Sequence, residues 1–127
     1  MARIMIVDDE RHIVETLCLA FKSRGHETIP LSDPATVLSA VMRERPDAII
    51  LDLLMPGLDG YKLYHDLVAN ELLSSTPVAI ITGHSGPLYE RISHEIGIAL
   101  HLIKPFNPLD VVKRIEKLIA PGPGNTP

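Results

Sequence analysis

The chain has 127 residues, of which 46% are hydrophobic, and it carries a formal net charge of −4 and a single cysteine. This length holds one domain with a real core and is too short for two, and the hydrophobic content excludes disorder along most of the chain. No apolar run approaches the roughly 18 residues of a membrane span, no signal-peptide pattern opens the chain, and Cys18 cannot form an intrachain disulfide alone. We therefore expect a cytoplasmic protein without a membrane interaction, and the acidic balance argues against direct nucleic-acid binding.

The first half of the chain alternates short apolar runs with helical periodicity. The predicted elements are a strand at 4–7, a helix with its apolar face from Ile13 to Phe21, a strand at 28–31, and a helix that begins at Asp33-Pro34. Gly25 is expected to end the first helix as its C′ residue. Pro30 places the second strand at an edge of the sheet, because proline has no N–H to give to a neighbouring strand. The Asp33-Pro34 pair is typical of an N-cap followed by proline at the first helical position.

The second half continues the same alternation. The run from Ala48 to Leu51 is short, apolar and bounded by breakers, which indicates a central strand buried on both faces, as in a parallel sheet. The elements after it are a helix from about Gly60, a strand at 78–81, a helix at 88–96, a strand at 100–103, and a helix that begins at Asn107-Pro108. Five strands alternating with five helices predict a doubly wound α/β fold over residues 1–120. Residues 121–127 are rich in proline and glycine, which indicates a tail or linker.

Four of the predicted strands end in a polar residue. These residues are Asp8 and Asp9 after the first strand, Asp52 after the third, Thr82 after the fourth, and Lys104 after the fifth. A parallel sheet brings all of its carboxyl ends to one edge, which is where ligands bind in open α/β sheets. Three carboxylates at close quarters repel one another, so that one would tend to stay protonated unless a cation compensates the charge. A divalent metal ion and the ammonium group of Lys104 are the expected compensation.

The expected metal ion is Mg²⁺. The available ligands are hard oxygens from a small number of carboxylates, and such a site leaves room for water and phosphate oxygens, which is how Mg²⁺ is usually held. The six histidines are scattered and show no zinc spacing. Four of them are expected at the surface: His12, His26, His65 and His94. Each site residue also has an ordinary interpretation when taken alone, since Asp8 or Asp9 could cap a helix and Lys104 could be a solvated charge.

Together these motifs resemble the receiver domain of bacterial two-component response regulators. The matching segments are Asp8-Asp9, the LD-x-x-MPG-x-DG pattern at 51–60, the Thr82-Gly83 pair, and the KPF pattern at 104–106. The resemblance runs from about Arg3 to Ala120. It implies a flavodoxin-like sheet with strand order 2-1-3-4-5, which is the strand order of a chemotaxis receiver.

The resemblance also implies the role of each site residue. Asp52 is the nucleophile that takes a phosphoryl group from a sensor histidine kinase or a phosphotransfer protein. Asp9 and Asp52 ligate Mg²⁺ directly, Asp8 acts through water, and the backbone carbonyl of Leu54 supplies a further ligand. Lys104 neutralises charge on the phosphoryl oxygens. Such a domain catalyses only its own phosphorylation and dephosphorylation, and it is not an enzyme acting on other molecules.

Switching is implied for Thr82 and His101. The Thr82 hydroxyl would bond the phosphoryl group and draw its loop inward, and the signal would reach the face made by the helix at 88–96, the strand at 100–103 and the helix after Asn107. An output domain, an effector protein or a second copy of the chain would bind that face. Receivers commonly carry Tyr or Phe where this chain has His101. The histidine is expected to make switching weaker or pH-sensitive, and the alternative is that it is simply an exposed ring on an edge strand. Apolar Leu54 is expected to slow phosphoryl loss, unless His84 positions the hydrolytic water instead.

Three rival functions follow from the same residues. A haloacid-dehalogenase-type phosphohydrolase also uses an aspartyl nucleophile and Mg²⁺, but it needs a second acid where this chain has Leu54. A flavodoxin-like flavin carrier needs a phosphate-binding loop after the first strand, where Asp8-Asp9-Glu10 would instead repel a phosphate. A pseudo-receiver would keep the fold as a docking module without phosphotransfer, but it would have no need of all five site residues.

Overall fold

The computed structural model describes residues 1–52, 60–69, 76–83 and 100–119. Its five strands form one parallel sheet with the order β2-β1-β3-β4-β5, which confirms the predicted fold class and strand order. The strands are β1 (Arg3–Val7), β2 (Glu27–Leu31), β3 (Ala48–Asp52), β4 (Val78–Thr82) and β5 (Leu100–Ile103). As expected, the strand that contains Pro30 lies at an edge of the sheet, and β3 is buried along its whole length.

Four α-helices lie within the described residues. They are α1 (Arg11–Ser23), α2 (Val37–Glu44), α3 (Gly60–Ala69) and α4 (Pro108–Ile119). The fifth predicted helix, at 88–96, and the tail at 121–127 fall outside the described residues. Within the part of the chain that is described, no helix is both long and apolar enough to cross a membrane.

The core consists of two layers, one on each face of the sheet. Alternate residues of a strand point to opposite faces, so Met5 and Val7 of β1 join one layer while Ile4 and Ile6 join the other. The first layer packs against α2 and α3, and the second packs against α1 and α4. Covering both faces in this way leaves only the ends of the strands open to ligands.

Local sequence signals set the helix ends. Gly25 has φ +85°, and the N–H groups of Gly25 and His26 donate to the carbonyls of Lys22 and Phe21, so α1 ends in the predicted glycine C′ motif. The side-chain oxygen of Asn107 accepts the N–H groups of Leu109 and Asp110 at the start of α4, as expected.

The predicted start at Asp33-Pro34 needs a correction. Asp33 accepts the N–H of Ala35 through its side chain and the N–H of Thr36 through its carbonyl. The second of these bonds spans three residues, so a 3₁₀ turn, Pro34–Thr36, comes first and the α-helix begins only at Val37.

The prediction that His26 lies at the surface is wrong. Its side chain is only 10% exposed, and its Nε2 lies 2.7 Å from Glu116 on α4. Its Nδ1 accepts the backbone N–H of Ala2, so the ring carries its proton on Nε2 and donates it to Glu116. Arg24 also binds Glu116, at 2.8 Å, and the two partners lower the pKa of Glu116 to about 2. These contacts tie the start of β1 and the end of α1 to α4.

His12 and His65 are exposed, as predicted, and His94 lies outside the described residues.

Candidate functional site at the carboxyl edge of the sheet

The register of the sheet brings two buried carboxylates together. Val7, the last residue of β1, pairs with Leu51 of β3, so Asp8, which follows β1, lies beside Asp52, the last residue of β3. Their residues are only 2% and 3% exposed, and they are the buried charged residues of the described chain. A buried charge needs a partner of opposite sign, and this site therefore needs a cation.

Lys104 supplies that cation from two strands away. It follows Ile103, the last residue of β5, and its Nζ lies 3.1 Å from Asp8 Oδ2 and 3.2 Å from Asp52 Oδ2. Its side chain is 13% exposed, so the ammonium is largely shielded from water. The structure thus brings together three of the predicted site residues, Asp8, Asp52 and Lys104, from three different strands.

Glu10 belongs to this cluster although the sequence interpretation gave it no role. Its carboxylate contacts Lys104 Nζ at 2.7 Å, and its backbone N–H donates to Asp8 Oδ1 at 2.9 Å. Glu10 is the N-cap residue of α1, but its side chain makes no capping hydrogen bond. The signal that could have identified it is the third acid of the Asp8-Asp9-Glu10 run, placed where the chain turns from strand to helix.

The directions of the pKa shifts show which ionised group of the cluster burial destabilises most. Burial raises the pKa of Asp8 to about 6, and the negative charge of Asp52 adds to this rise; the Glu10 N–H and the Lys104 ammonium oppose it. Burial alone would lower the pKa of Lys104, but the carboxylates of Glu10, Asp8 and Asp52 raise it overall. The contact with Lys104 lowers the pKa of Glu10. Lys104 therefore stays charged at neutral pH, and Asp8 is the acid that most needs further compensation.

The carboxylates offer a position that suits a hard divalent ion. One oxygen from each of Asp8, Glu10 and Asp52 lies within 4.8 Å of the others. Asp8 Oδ2 is buried, and within the described residues no hydrogen bond of good geometry reaches it, even though the Lys104 ammonium is close. An all-oxygen donor set with a buried oxygen still open to a ligand fits Mg²⁺. Asp9 is exposed and is not part of this set.

The remaining predicted site residues are placed less fully. Thr82 is the last residue of β4, and its backbone pairs with Ile103. Its side chain is not among the described atoms, so the expected role of its hydroxyl stays a prediction. His101 is half-buried on the edge strand β5, opposite Ile80, and so it is not the fully exposed ring of the simpler interpretation. Leu54 and His84 lie outside the described residues.

Comparisons with known proteins agree with this fold. Residues 4–116 match the family described as response regulator receiver domain. The chain belongs to this family, and it is a receiver domain of two-component response regulators, with an acidic pocket that fits a phosphoacceptor site. This membership favours the receiver interpretation over the phosphohydrolase and the flavin carrier considered above.

Two curated relatives and two solved structures illustrate the similarity. The chain is 31% identical over 114 residues to the DNA-binding response regulator MtrA of Mycobacterium tuberculosis, covering 90% of this chain and 49% of MtrA. It is 29% identical over 124 residues to the phosphate regulon transcriptional regulatory protein PhoB of Pseudomonas aeruginosa, covering 97% of this chain and 54% of PhoB. The chain thus spans about half the length of the curated relatives it matches.

The solved structures match over nearly their whole length. The chemotaxis protein CheY4 of Vibrio cholerae superposes with a TM-score of 0.84 at 25% identity, covering 93% of this chain and 98% of CheY4. The Francisella response regulator 1452 receiver domain also gives a TM-score of 0.84, at 24% identity, covering 94% of this chain and 97% of that one. The second likeness shows the fold alone.

Proposed function

We propose that Asp52 accepts a phosphoryl group from a phosphohistidine on a sensor histidine kinase or a phosphotransfer protein. A carboxylate oxygen of Asp52 attacks the phosphorus, the P–O bond forms, and the P–N bond to the imidazole breaks, with the histidine ring as the leaving group. The protein then holds an aspartyl phosphate. Little covalent chemistry is required of the surrounding residues, because positioning and charge neutralisation carry most of the catalysis of phosphoryl transfer.

The observation that carries this proposal is the position of Lys104. Its ammonium lies within 3.2 Å of the buried carboxylates of both Asp8 and Asp52 at the open edge of the sheet. A fixed cation beside the acceptor oxygen is what the charge on an incoming phosphoryl group requires. The alternative that Lys104 is an ordinary solvated charge does not fit a side chain that is only 13% exposed.

Mg²⁺ is the proposed cofactor. We propose that the carboxylates of Asp52 and Asp9 and the backbone carbonyl of Leu54 hold it, with Asp8 acting through water. The cluster of Asp8, Glu10 and Asp52 supports a site for a cation at this point, with Glu10 as a neighbouring oxygen donor. When bound, the ion would neutralise negative charge on the phosphoryl oxygens.

The phosphorylated domain would act through its surface. We propose that Thr82 and His101 carry the change to the face that includes β5 and α4, where an output domain, an effector protein or a second copy of the chain binds. The relatives MtrA and PhoB are described as DNA-binding and transcriptional regulators. This chain spans about half of each of these relatives, and we do not propose nucleic-acid binding by the receiver itself.

The test is incubation with acetyl phosphate and Mg²⁺, followed by intact mass measurement. We expect the mass of one phosphoryl group on the wild-type chain and none on Asp52→Asn or Asp52→Ala. Asp110→Asn is the matched control, because it makes the same change at an exposed carboxylate that pairs with Arg114 across one helix turn. Equal labelling of wild type and Asp52→Asn, or an unlabelled wild-type chain, would contradict the proposal and favour a docking module without phosphotransfer.

A further inference from the structure

In this structure Lys104 donates hydrogen bonds to the carboxylates of Glu10 and Asp52, and the carboxylate of Asp8 lies within ion-pair distance. A lysine ammonium carries three N–H donors, and three carboxylate oxygens surround this one. They belong to Glu10 at 2.7 Å, Asp8 at 3.1 Å and Asp52 at 3.2 Å. An arriving phosphoryl group therefore competes with these carboxylates for the Lys104 ammonium.

Glu10 is the contact that is easiest to release. Its side chain is 44% exposed, whereas the side chains of Asp8 and Asp52 are 2% and 4% exposed. Water can solvate the carboxylate of Glu10 as it leaves, but it cannot reach the two buried acids in the same way. Asp8 is also fixed by the Glu10 N–H on its other oxygen, and Asp52 lies at the end of a fully buried strand. Release of Glu10 requires only side-chain rotation and leaves the backbone of α1 in place.

We infer that Glu10 is a displaceable partner of Lys104: it holds the ammonium in the unphosphorylated protein and leaves it when a phosphoryl group arrives on Asp52. This inference rests on the proposed function of Asp52. It gives Glu10 a role as a positioning residue that sets how readily the site accepts a phosphoryl group. The contact holds Lys104 over the acceptor while the site is empty of phosphate, and it competes with the phosphoryl group for the same donor.

The inference predicts that weakening the contact makes phosphoryl binding easier. An ion pair with one partner well exposed is worth little, so removal of Glu10 should raise the affinity for a phosphoryl analogue by about two- to fivefold. Two variants separate the contact from the charge. Glu10→Gln removes the charge, whereas Glu10→Asp keeps the charge on a shorter side chain that also favours capping α1 over reaching Lys104.

The control is Glu15→Gln on the same helix. Glu15 is exposed and pairs with Arg11 at 3.7 Å, so this variant removes one negative charge close to the site without touching Lys104. We would measure the affinity for beryllium fluoride and the initial rate of labelling by acetyl phosphate, both at saturating Mg²⁺. The affinity for Mg²⁺ alone, measured by calorimetry, reports any loss of a metal ligand separately.

We expect both Glu10 variants to exceed wild type by about two- to fivefold in beryllium fluoride affinity, while Glu15→Gln equals wild type. A gain in Glu10→Gln and Glu15→Gln with none in Glu10→Asp would show a long-range charge effect and overturn the inference. A loss in both Glu10 variants at saturating Mg²⁺ would also overturn it, because Glu10 would then assist the phosphorylated state. If wild type neither labels nor binds beryllium fluoride, the proposed function fails as well; if it labels and the Glu10 variants match it, only this inference fails.

Discussion

Replacing Lys104 with methionine tests the charge balance of the site through protein stability. The variant keeps an unbranched side chain but removes the cation that faces Asp8, Asp52 and Glu10. Removal of one partner from a buried ion pair costs about 3–5 kcal/mol when the remaining charge is uncompensated. We expect a loss at the lower end, about 3 kcal/mol near pH 7.5 without Mg²⁺, because Lys104 is not completely buried and one acid can take up a proton.

The loss should depend on pH with a definite sign. Burial already raises the pKa of folded Asp8 to about 6, above its value in an unfolded chain, and the contact with Lys104 holds it down. In Lys104→Met this pKa rises further, so the folded protein binds a proton that the unfolded chain releases. Stability is then present at low pH and falls as pH rises, by at most about 1.4 kcal/mol per pH unit for one proton. The difference between wild type and variant should be small near about pH 5 and largest near about pH 7.5.

Urea unfolding followed by far-UV circular dichroism is the suitable assay, because the chain has no tryptophan. The four conditions are low and neutral pH, each with Mg²⁺ and with a chelator. Mg²⁺ should reduce the loss in Lys104→Met, since the ion replaces the missing positive charge. Lys113→Met, at an exposed position of α4, is the control and should change little. An equal loss in all four conditions would refute the reasoning, because it would mean that packing of the Lys104 stem and not its charge supports the site.

Three further predictions address the scaffold and the switch. Gly25→Ala should cost about 1 kcal/mol in unfolding free energy, because φ is +85° and a side chain is strained there even though its Cβ would meet no atom of the described residues within 4 Å. Glu116→Gln should remove stability that Arg24 and His26 provide: the lowered pKa of Glu116 means that this stability is present above about pH 4.5 and is lost as pH falls towards about 2, so the gap between wild type and variant should close in acid. His101→Phe should make phosphorylation-dependent partner binding insensitive to pH between about 6 and 8, because a phenyl ring cannot take up a proton.

Each of these predictions has a control or a contradicting result. Gly83→Ala adds the same methyl group at an exposed glycine with equal space and no positive φ, so a similar loss there would argue against backbone strain at Gly25. A wild-type-to-variant gap at Glu116 that stays constant from neutral pH into acid would contradict an ionic role. Partner binding that His101→Phe leaves unchanged over this pH range would show that the ring does not sense pH.

The sheet and most of the site could be predicted from the sequence, because apolar runs mark the strands and polar residues mark the points where the strands end. Asp8, Asp52 and Lys104 each come directly after an apolar run, and a parallel sheet leaves no other place for them than one edge. Asp33 was harder to interpret, since the same capping residue can begin a 3₁₀ turn or an α-helix, and the structure has the turn first.

Glu10 and His26 could not be placed from the sequence, for a physical reason that they share. The role of Glu10 depends on side-chain rotation back towards the sheet, which neither strand nor helix periodicity encodes. His26 is buried against Glu116, a residue ninety positions away, and a polar residue after a helix gives no sign of such a partner. Periodicity identifies what is apolar and buried, whereas the placement of these two polar residues depends on partners 94 and 90 positions away in the sequence.

The central claim is that Asp52 is the acceptor, and site mapping tests it most directly. The chain is treated with acetyl phosphate and Mg²⁺, and borohydride reduction then converts an aspartyl phosphate to homoserine, which peptide mass spectrometry can locate. We expect homoserine at position 52 and at neither Asp8 nor Asp9. Homoserine at another acid, or none in a folded chain with the donor and Mg²⁺ present, would contradict it.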